Sequence, residues 1–442
     1  MRSAVLITMC AGMFLVQLDV TVVNVALPTI GAELNAGLAQ LQWVVDGYSV
    51  VLAALLLTGG ALGDALGHRG VVLIGLAVFG AASALCGLAG SAAWLVAARA
   101  AQGAGAALLL PGTLAVITAA FPERRERARA LGVWAGVSAL ALPAGPLLGG
   151  VLVSLAGWRP VFWLNVPIAT VAMVATRRLV PPGVRKPGRI DLPGAATAAL
   201  ALGSGTYAVI AGQPLAAVLA VAAAVTFVAA ERRAREPMLP FDVVRAPATI
   251  GANLVSGAMN FVGLGAVLVL TLYLQRVLGA SPLGAALAVL PLFVPLSLLG
   301  PLSGRLTGRF GPRPLMLAGL LVGALGLLNL LRIGTTSGYA TVLPTLLGLG
   351  LGMGLLTAAV VTAAVTDVPS SRAGVASGVN NTARQAGGAL GVAVFGAVAG
   401  EPAARGEFVH GLHVLGVVAA ALWLACAGLT LATQPRRRAV AG

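Results

Sequence analysis

Charge is what this sequence has least of, and acid above all. Only 9% of its residues are charged and 59% are hydrophobic, whereas a soluble domain carries about 25% charged residues. A surface that poor in charge excludes an ordinary soluble enzyme or binding domain and leaves a protein of many membrane spans. Cysteine is nearly absent too: Cys10, Cys86 and Cys426 lie in separate apolar segments, which excludes a disulfide framework and a metal cluster. His410 and His413 open the last apolar segment with no acid or cysteine beside them, so they are expected at the interface rather than as metal ligands. No nucleophile–base pair stands out, which argues against an intramembrane enzyme. Lysine occurs once against 27 arginines, a bias attributable to genome base composition.

Long apolar runs are what the chain does have. The first, from Ala4 to Ile30 behind Met1-Arg2-Ser3, is too long for a cleaved signal peptide and is expected to be the first span. Fourteen runs follow one another, from 4–30 to 411–433, and each can cross a hydrocarbon core of about 30 Å at about 1.5 Å per residue. Basic residues fix the sidedness. One alternate set of loops and tails carries 22 of them, including Arg69, Arg124, Arg125, Arg177, Arg185, Lys186, Arg189, Arg235, Arg372 and Arg436; the other carries four, Arg159, Arg276, Arg332 and Arg405. Positive charge accumulates on the cytoplasmic side, so both termini are expected there. The formal charge of +15 is thereby a topology signal, and no nucleic-acid partner is needed to explain it.

The stretch Gly60–Gly70 is expected to form a short polar loop, and its skeleton returns. Gly60, Leu62, Gly67 and Arg69 recur as Gly304, Leu306, Gly311 and Arg313, all at an offset of 244. Four matches at one offset indicate an internal duplication. Asp64 has Gly308 as its counterpart, so the copies share build but not chemistry. The chain divides into a six-helix bundle over 1–181, an inserted hairpin over 182–247 and a second six-helix bundle over 248–442. Parallel six-span repeats with a midplane substrate site are one way transporters are built.

Only Asp19 and Asp46 place carboxylates clearly within spans. A charge there costs about 3 kcal/mol or more unless it is paired, hydrated or neutralised, so either acid could take and release a proton. Arg99 and Gln102 share one face of the fourth span, and Arg99 could pair with Asp46 or with Asp19. On the first span Gln17, Thr21 and Asn24 fall within about 60° of one another, nearly opposite Asp19. One set is expected to line a cavity and the other to meet neighbouring helices; the wheel does not decide which. The fifth span holds Pro143, Gly145, Pro146, Gly149 and Gly150, which weaken the helix ladder and admit a close partner, as a gating surface would. The thirteenth span carries Asn380, Asn381, Arg384 and Gln385; Arg384, near mid-membrane with no acid on its helix, could meet an anionic group or clamp structure.

These residues resemble the major facilitator superfamily, and within it the fourteen-spanner drug:proton antiporters. Gly60, Leu62, Asp64, Gly67 and Arg69 are similar to the family's loop signature after the second span, with Ala65 and His68 where basic residues are usual. The run Leu18 to Pro28 resembles this branch's first-span motif. Arg99, Gln102, Gly103 and Gly105 resemble its fourth-span motif, and Gly145, Pro146, Gly149 and Gly150 its antiporter motif, with Ala141 replacing a usual glycine. Trp158-Arg159 and Phe162 to Pro167 are similar to the entry to its sixth span. Arg372, Gly374, Ser377, Gly378, Asn381, Arg384, Gln385, Gly387 and Gly388 resemble its thirteenth.

The resemblance implies an all-α membrane protein of fourteen transmembrane helices with the major facilitator fold. It implies proton coupling through Asp19, Asp46 and Arg99, and a substrate cavity involving Gln17, Thr21, Asn24, Gln102, Asn381, Arg384 and Gln385. It implies gating through Gly60, Asp64, Gly67, Arg69, Gly304, Gly311, Arg313 and the fifth-span prolines and glycines. The expected activity is export of amphipathic drugs or related small organic molecules, driven by the proton gradient without a cofactor or metal. The expected protein is a monomer in the cell membrane, with lipid, protons and a small-molecule substrate as its partners. Export of one endogenous natural product is the nearest alternative. A nutrient symporter is disfavoured by the antiporter motif, and a sensor leaves Asp19 and Arg99 unexplained.

The charge asymmetry makes a direct prediction. A reporter fused after Arg438 should report a cytoplasmic location and one inserted in the Gly334–Gly338 loop an external one; an external C-terminus would overturn the fourteen-span reading.

Overall fold

The computed structural model describes residues 2–182, 191–234, 245–366, 368 and 373–434. Arg185, Lys186, Arg189, Arg235, Arg372 and Arg436 to Arg438, part of the basic set, lie outside the described residues. Among those residues all regular structure is helical, as it must be where no water meets the backbone. The helices are α1 (Arg2–Leu34), α2 (Leu38–Leu66), α3 (His68–Gly87), α4 (Ala92–Ala120), α5 (Arg124–Ala156), α6 (Arg159–Trp163), α7 (Asn165–Leu179), α8 (Leu192–Ala211), α9 (Pro214–Arg233), α10 (Pro247–Leu272), α11 (Pro282–Phe310), α12 (Pro312–Leu328), α13 (Tyr339–Thr366), α14 (Ala373–Ala399) and α15 (Arg405–Thr433). The short α6 and α7 together make one span, broken at Leu164. Among the described residues thirteen helical segments are long and apolar enough to cross a membrane. The more polar α14, with 27 residues, is the fourteenth by length.

The expected loop over Gly60–Gly70 is not a loop. Helix α2 continues to Leu66 and α3 starts at His68, so the reversal is made by Gly67 alone, at φ 90°. The second half repeats this: α11 ends at Phe310, Gly311 takes φ 83°, and α12 starts at Pro312. Both turns obey the offset of 244. A backbone at positive φ is open to glycine at no steric cost, and apolar flanks favour keeping every other residue hydrogen-bonded in a helix.

The chain forms two compact units, one of residues 1–238 with 280–287 and the other of 239–279 with 288–442. The hairpin α8–α9, expected as a separate element, groups with the first unit. Its α8 packs on α2, where the rings of Trp43 and Tyr207 lie 6.5 Å apart. Leu215, Val218, Val221 and Val225 of α9 are exposed, the surface a lipid-facing helix presents.

Within the first unit α1 lies on α5, and α4 on α2 and α3. Glycines set these approaches. A Cβ on Gly145 would collide with Thr21, and one on Gly149 would stand 3.0 Å from the Val22 carbonyl. A Cβ on Gly103 would run into the Tyr48 backbone. Helix α5 is unbroken through Pro143 and Pro146, so the proline pair does not interrupt it. Within the second unit α10 lies on α14 through Gly257 against Gly387, and α12 on α13 through Gly326 against Gly348.

The one-residue turn gives a paired test. Gly67→Ala forces a side chain into a positive-φ position and should cost about 1–3 kcal/mol, lowering the thermal unfolding temperature. Gly70→Ala, where an added methyl meets nothing within 4 Å, should be neutral. Equal melting of the two variants would count against the strained turn.

Candidate functional site

A carboxylate inside an apolar bundle needs a partner for its charge. For Asp19 the partners are complete. Asp19 is fully buried at the middle of α1, and Arg99 of α4 donates from Nη1 to its Oδ2 in an ion pair. Gln102 donates from Nε2 to Oδ1 at 2.8 Å, and Asn165 from Nδ2 to the same oxygen at 3.0 Å. Both amides also donate to the hydroxyl of Ser83, at 2.7 and 3.2 Å. Arg99 reaches further, from Nη1 to Gln102 Oε1 at 2.7 Å and from Nε to the Val44 carbonyl at 3.0 Å. Its Cζ lies 4.4 Å from the centre of the Tyr48 ring, so an aromatic face adds a further attraction for the cation.

The local sequence explains how four helices meet here. Arg99 and Gln102 are one helical turn apart on α4, and Ser83 and Cys86 are one turn apart on α3, where the Cys86 thiol approaches Gln102 Oε1 at 3.8 Å. Asn165 is the first residue of α7, just past the break at Leu164, and its amide enters the network from there. Asp19, Ser83, Gln102 and Asn165 are each 0% exposed and Arg99 is 1%, so the network is shut off from any surface.

The two candidate partners of Arg99 are thus distinguished. It pairs with Asp19, not with Asp46: α1 offers a carboxylate that Gln102 and Asn165 hold as well, while α2 contributes the Val44 carbonyl and the Tyr48 ring. Asp46 is fully buried, and neither of its carboxylate oxygens has a hydrogen-bond partner among the described residues. One buried acid is compensated and the other is bare.

The opposite face of α1 is packed against a helix as well. Thr21 donates to the Leu18 carbonyl at 3.2 Å and lies against Gly145 of α5. Asn24 donates to the Val20 carbonyl at 2.9 Å, with its own oxygen enclosed and unpartnered among the described residues. Gln17 is half-buried. Gln102, expected at the substrate cavity, is enclosed in the network instead.

At the turns, Arg69 donates from Nη2 to the carbonyl of Arg177 at 2.7 Å, setting a cation at the C-terminal end of α7 where helix carbonyls attract it. The side chain of Asp64 lies outside the described residues. Gly60 and Gly304 have room beside them, the nearest atoms being 3.9 and 3.8 Å from an added Cβ, while Gly67 and Gly311 are the turns themselves. Arg313 is half-buried in the first turn of α12. A side chain at Gly150 would meet Leu283 and Ala286. His413 contacts the Ile333 carbonyl at 2.7 Å through Nε2, in keeping with an interfacial residue.

Among the described residues the second unit has no such ion pair. At the position equivalent to Asp19 stands Gly263, where a side chain would meet Met353. Its polar contact is neutral: Asn380 donates to Asn253 Oδ1 and to Ser256 Oγ, each at 2.9 Å. Asn381, Arg384 and Gln385 are half-buried on α14. Ser83 is a member of the Asp19 network that sequence reasoning missed, and Asn165 figured only inside a longer motif. The signal for both was the same one that exposed Asp19: a hydrogen-bonding side chain within an apolar span.

Comparison with known proteins agrees with this architecture. The family model for the Major Facilitator Superfamily matches residues 9–392. A methylenomycin A resistance protein of Streptomyces coelicolor is 36% identical over 90% of this chain and 86% of its own length. The multidrug resistance protein Stp of Mycobacterium tuberculosis is 37% identical over 90% and 76%. A cephamycin export protein of Amycolatopsis lactamdurans is 39% identical over 90% and 85%.

The network predicts a coupled pair. Asp19→Leu strands the Arg99 guanidinium and Arg99→Met strands the carboxylate; each should destabilise by about 3–5 kcal/mol. The double variant should recover much of that loss in a thermal-unfolding cycle. Destabilisations that simply add would show that the two side chains do not support each other.

Proposed function

Given that the chain belongs to the major facilitator superfamily, we propose that it is a proton-coupled antiporter exporting amphipathic drugs or related small organic molecules. It is a multi-pass membrane transporter and not an enzyme. The relatives support export, being resistance or export proteins for methylenomycin A, for several drugs and for cephamycin. Its place is the cell membrane, with both termini in the cytoplasm.

The observation that carries the coupling is the enclosed ion pair of Asp19 and Arg99. A proton arriving at Asp19 removes the charge that Arg99, Gln102 and Asn165 all hold. The joint between α1 and helices α3, α4 and α7 then loosens, while the other face of α1 remains seated on α5 at Thr21 and Gly145. Loss of the proton re-forms the joint. A joint with two discrete states, biased by proton on one side and substrate on the other, is what alternating access requires. Asp46, buried and bare, is the second proton candidate. Within the first unit we assign the half-buried Gln17 to substrate contact, within the second unit Asn381, Arg384 and Gln385, and in each unit its glycine turn, Gly67 or Gly311, to gating. Relatives named for a single antibiotic, methylenomycin A and cephamycin, favour a second reading, in which the chain exports one natural product and protects the cell that makes it.

Asp19→Asn keeps the shape of the joint and abolishes its charge, mimicking the protonated state permanently. In proteoliposomes it should still bind substrate but lose export driven by a proton gradient, while Asp46→Asn should be milder. Wild-type, gradient-driven efflux by Asp19→Asn would move the coupling role to Asp46.

A further inference from the structure

Two arginines lie inside spans, and the protein treats them oppositely. Arg99 is answered by a carboxylate, an amide oxygen and a carbonyl. Arg384 is answered by nothing. Its position, eleven residues after Ala373 at the start of α14, is about 16 Å along the helix, near the middle of a span. It is half-buried, its Nε is enclosed without a partner, and among the described residues no hydrogen bond or ion pair reaches it. The described acids of the second unit are Glu401, in the turn between α14 and α15, and Glu407, in the first turn of α15, so among the described residues no acid of that unit stands at the depth of Arg384.

A clamp between helices does not account for this side chain. Helix α14 is fastened to α10 by glycine contacts, Gly387 on Gly257 and Gly391 on Phe261, and by Asn380 on Asn253 and Ser256. None of these contacts uses the guanidinium. On the adjoining face Asn381, Arg384 and Gln385 lie at i, i+3 and i+4 and so stand together, all half-buried. An uncompensated cation at membrane depth costs several kcal/mol, and a guanidinium fork matches two oxygens of one anionic head group.

We propose that Arg384 is the anchor for an organic anion: an amphipathic molecule whose carboxylate or sulfonate group pairs with the guanidinium, with the Asn381 and Gln385 amides beside it. This deepens the export reading, on which it rests, by assigning the charge class of the substrate. The substrate supplies the counter-charge that α14 lacks, just as Asp19 supplies it to Arg99 from within.

The test uses two probes with one hydrophobic body and opposite permanent charge, pyrenebutyl sulfonate and pyrenebutyl trimethylammonium. Full-length protein in nanodiscs of zwitterionic lipid is titrated with each by fluorescence, with empty discs subtracted. The wild type should favour the sulfonate. Arg384→Gln should weaken sulfonate binding by about tenfold or more, the loss expected for a charge-assisted pair, and leave the ammonium probe unchanged, while Arg384→Lys should retain part of the preference. Equal wild-type affinity for the two probes would overturn the proposal without any variant. So would an equal loss of both probes in Arg384→Gln, which is the signature of a structural role. Binding needs no gradient, so the two readings separate. Sulfonate preference without proton-driven export from proteoliposomes would sink the export reading and leave the anion site standing. Proton-driven export confined to the ammonium probe would do the reverse.

Discussion

A negative charge held without water in the middle of a helix bundle sets the terms for the first unit. Asp19 cannot be left alone there, and the structure meets its charge with a guanidinium, two amides and a hydroxyl gathered from α3, α4 and α7. Each of those groups is itself costly to bury, so none is stable in that place without the others. The break at Leu164, the i, i+3 pair on α4 and the Tyr48 ring beside Arg99 all serve one carboxylate. A joint built this way is held together by that one charge.

Close approach is the second condition, and small residues supply it. Lipid gives helices no hydrophobic reason to associate, so contact must be gained by proximity. Gly145 and Gly149 let α5 come against Thr21 and Val22, and Gly103 lets α4 come against the Tyr48 backbone. These glycines flank the polar joint on both sides of α1. The motif around Pro143 to Gly150 thus acts less by breaking α5, which stays helical, than by bringing its backbone onto α1.

Duplication produced two units of one build and different chemistry. The turns at Gly67 and Gly311 coincide in the repeat and in backbone conformation. The electrostatics do not coincide. The first unit balances its buried cation internally; the second has Gly263 at the acid position and, among the described residues, no partner for Arg384.

The sequence by itself determined the spans and the repeat, and it pointed to a sidedness and to candidate residues. These depend on properties that lie along the chain: the length of an apolar run, the distribution of arginine between alternate loops, and a constant offset. It also marked Asp19, Asp46, Arg99 and Gln102, because a polar group within an apolar run stands out without any knowledge of what it touches. It could not say which acid Arg99 meets, that both polar faces of α1 meet other helices, that Gln102 would be enclosed, or that Ser83 and Asn165 complete the joint. Nor could it tell that the polar stretch Gly60–Gly70 is helix on either side of a single glycine. Those outcomes turn on contacts between residues 80 and 146 positions apart and on a single dihedral angle. Only tertiary packing decided them, because a buried charge selects its partner by reach and geometry among all the helices that surround it.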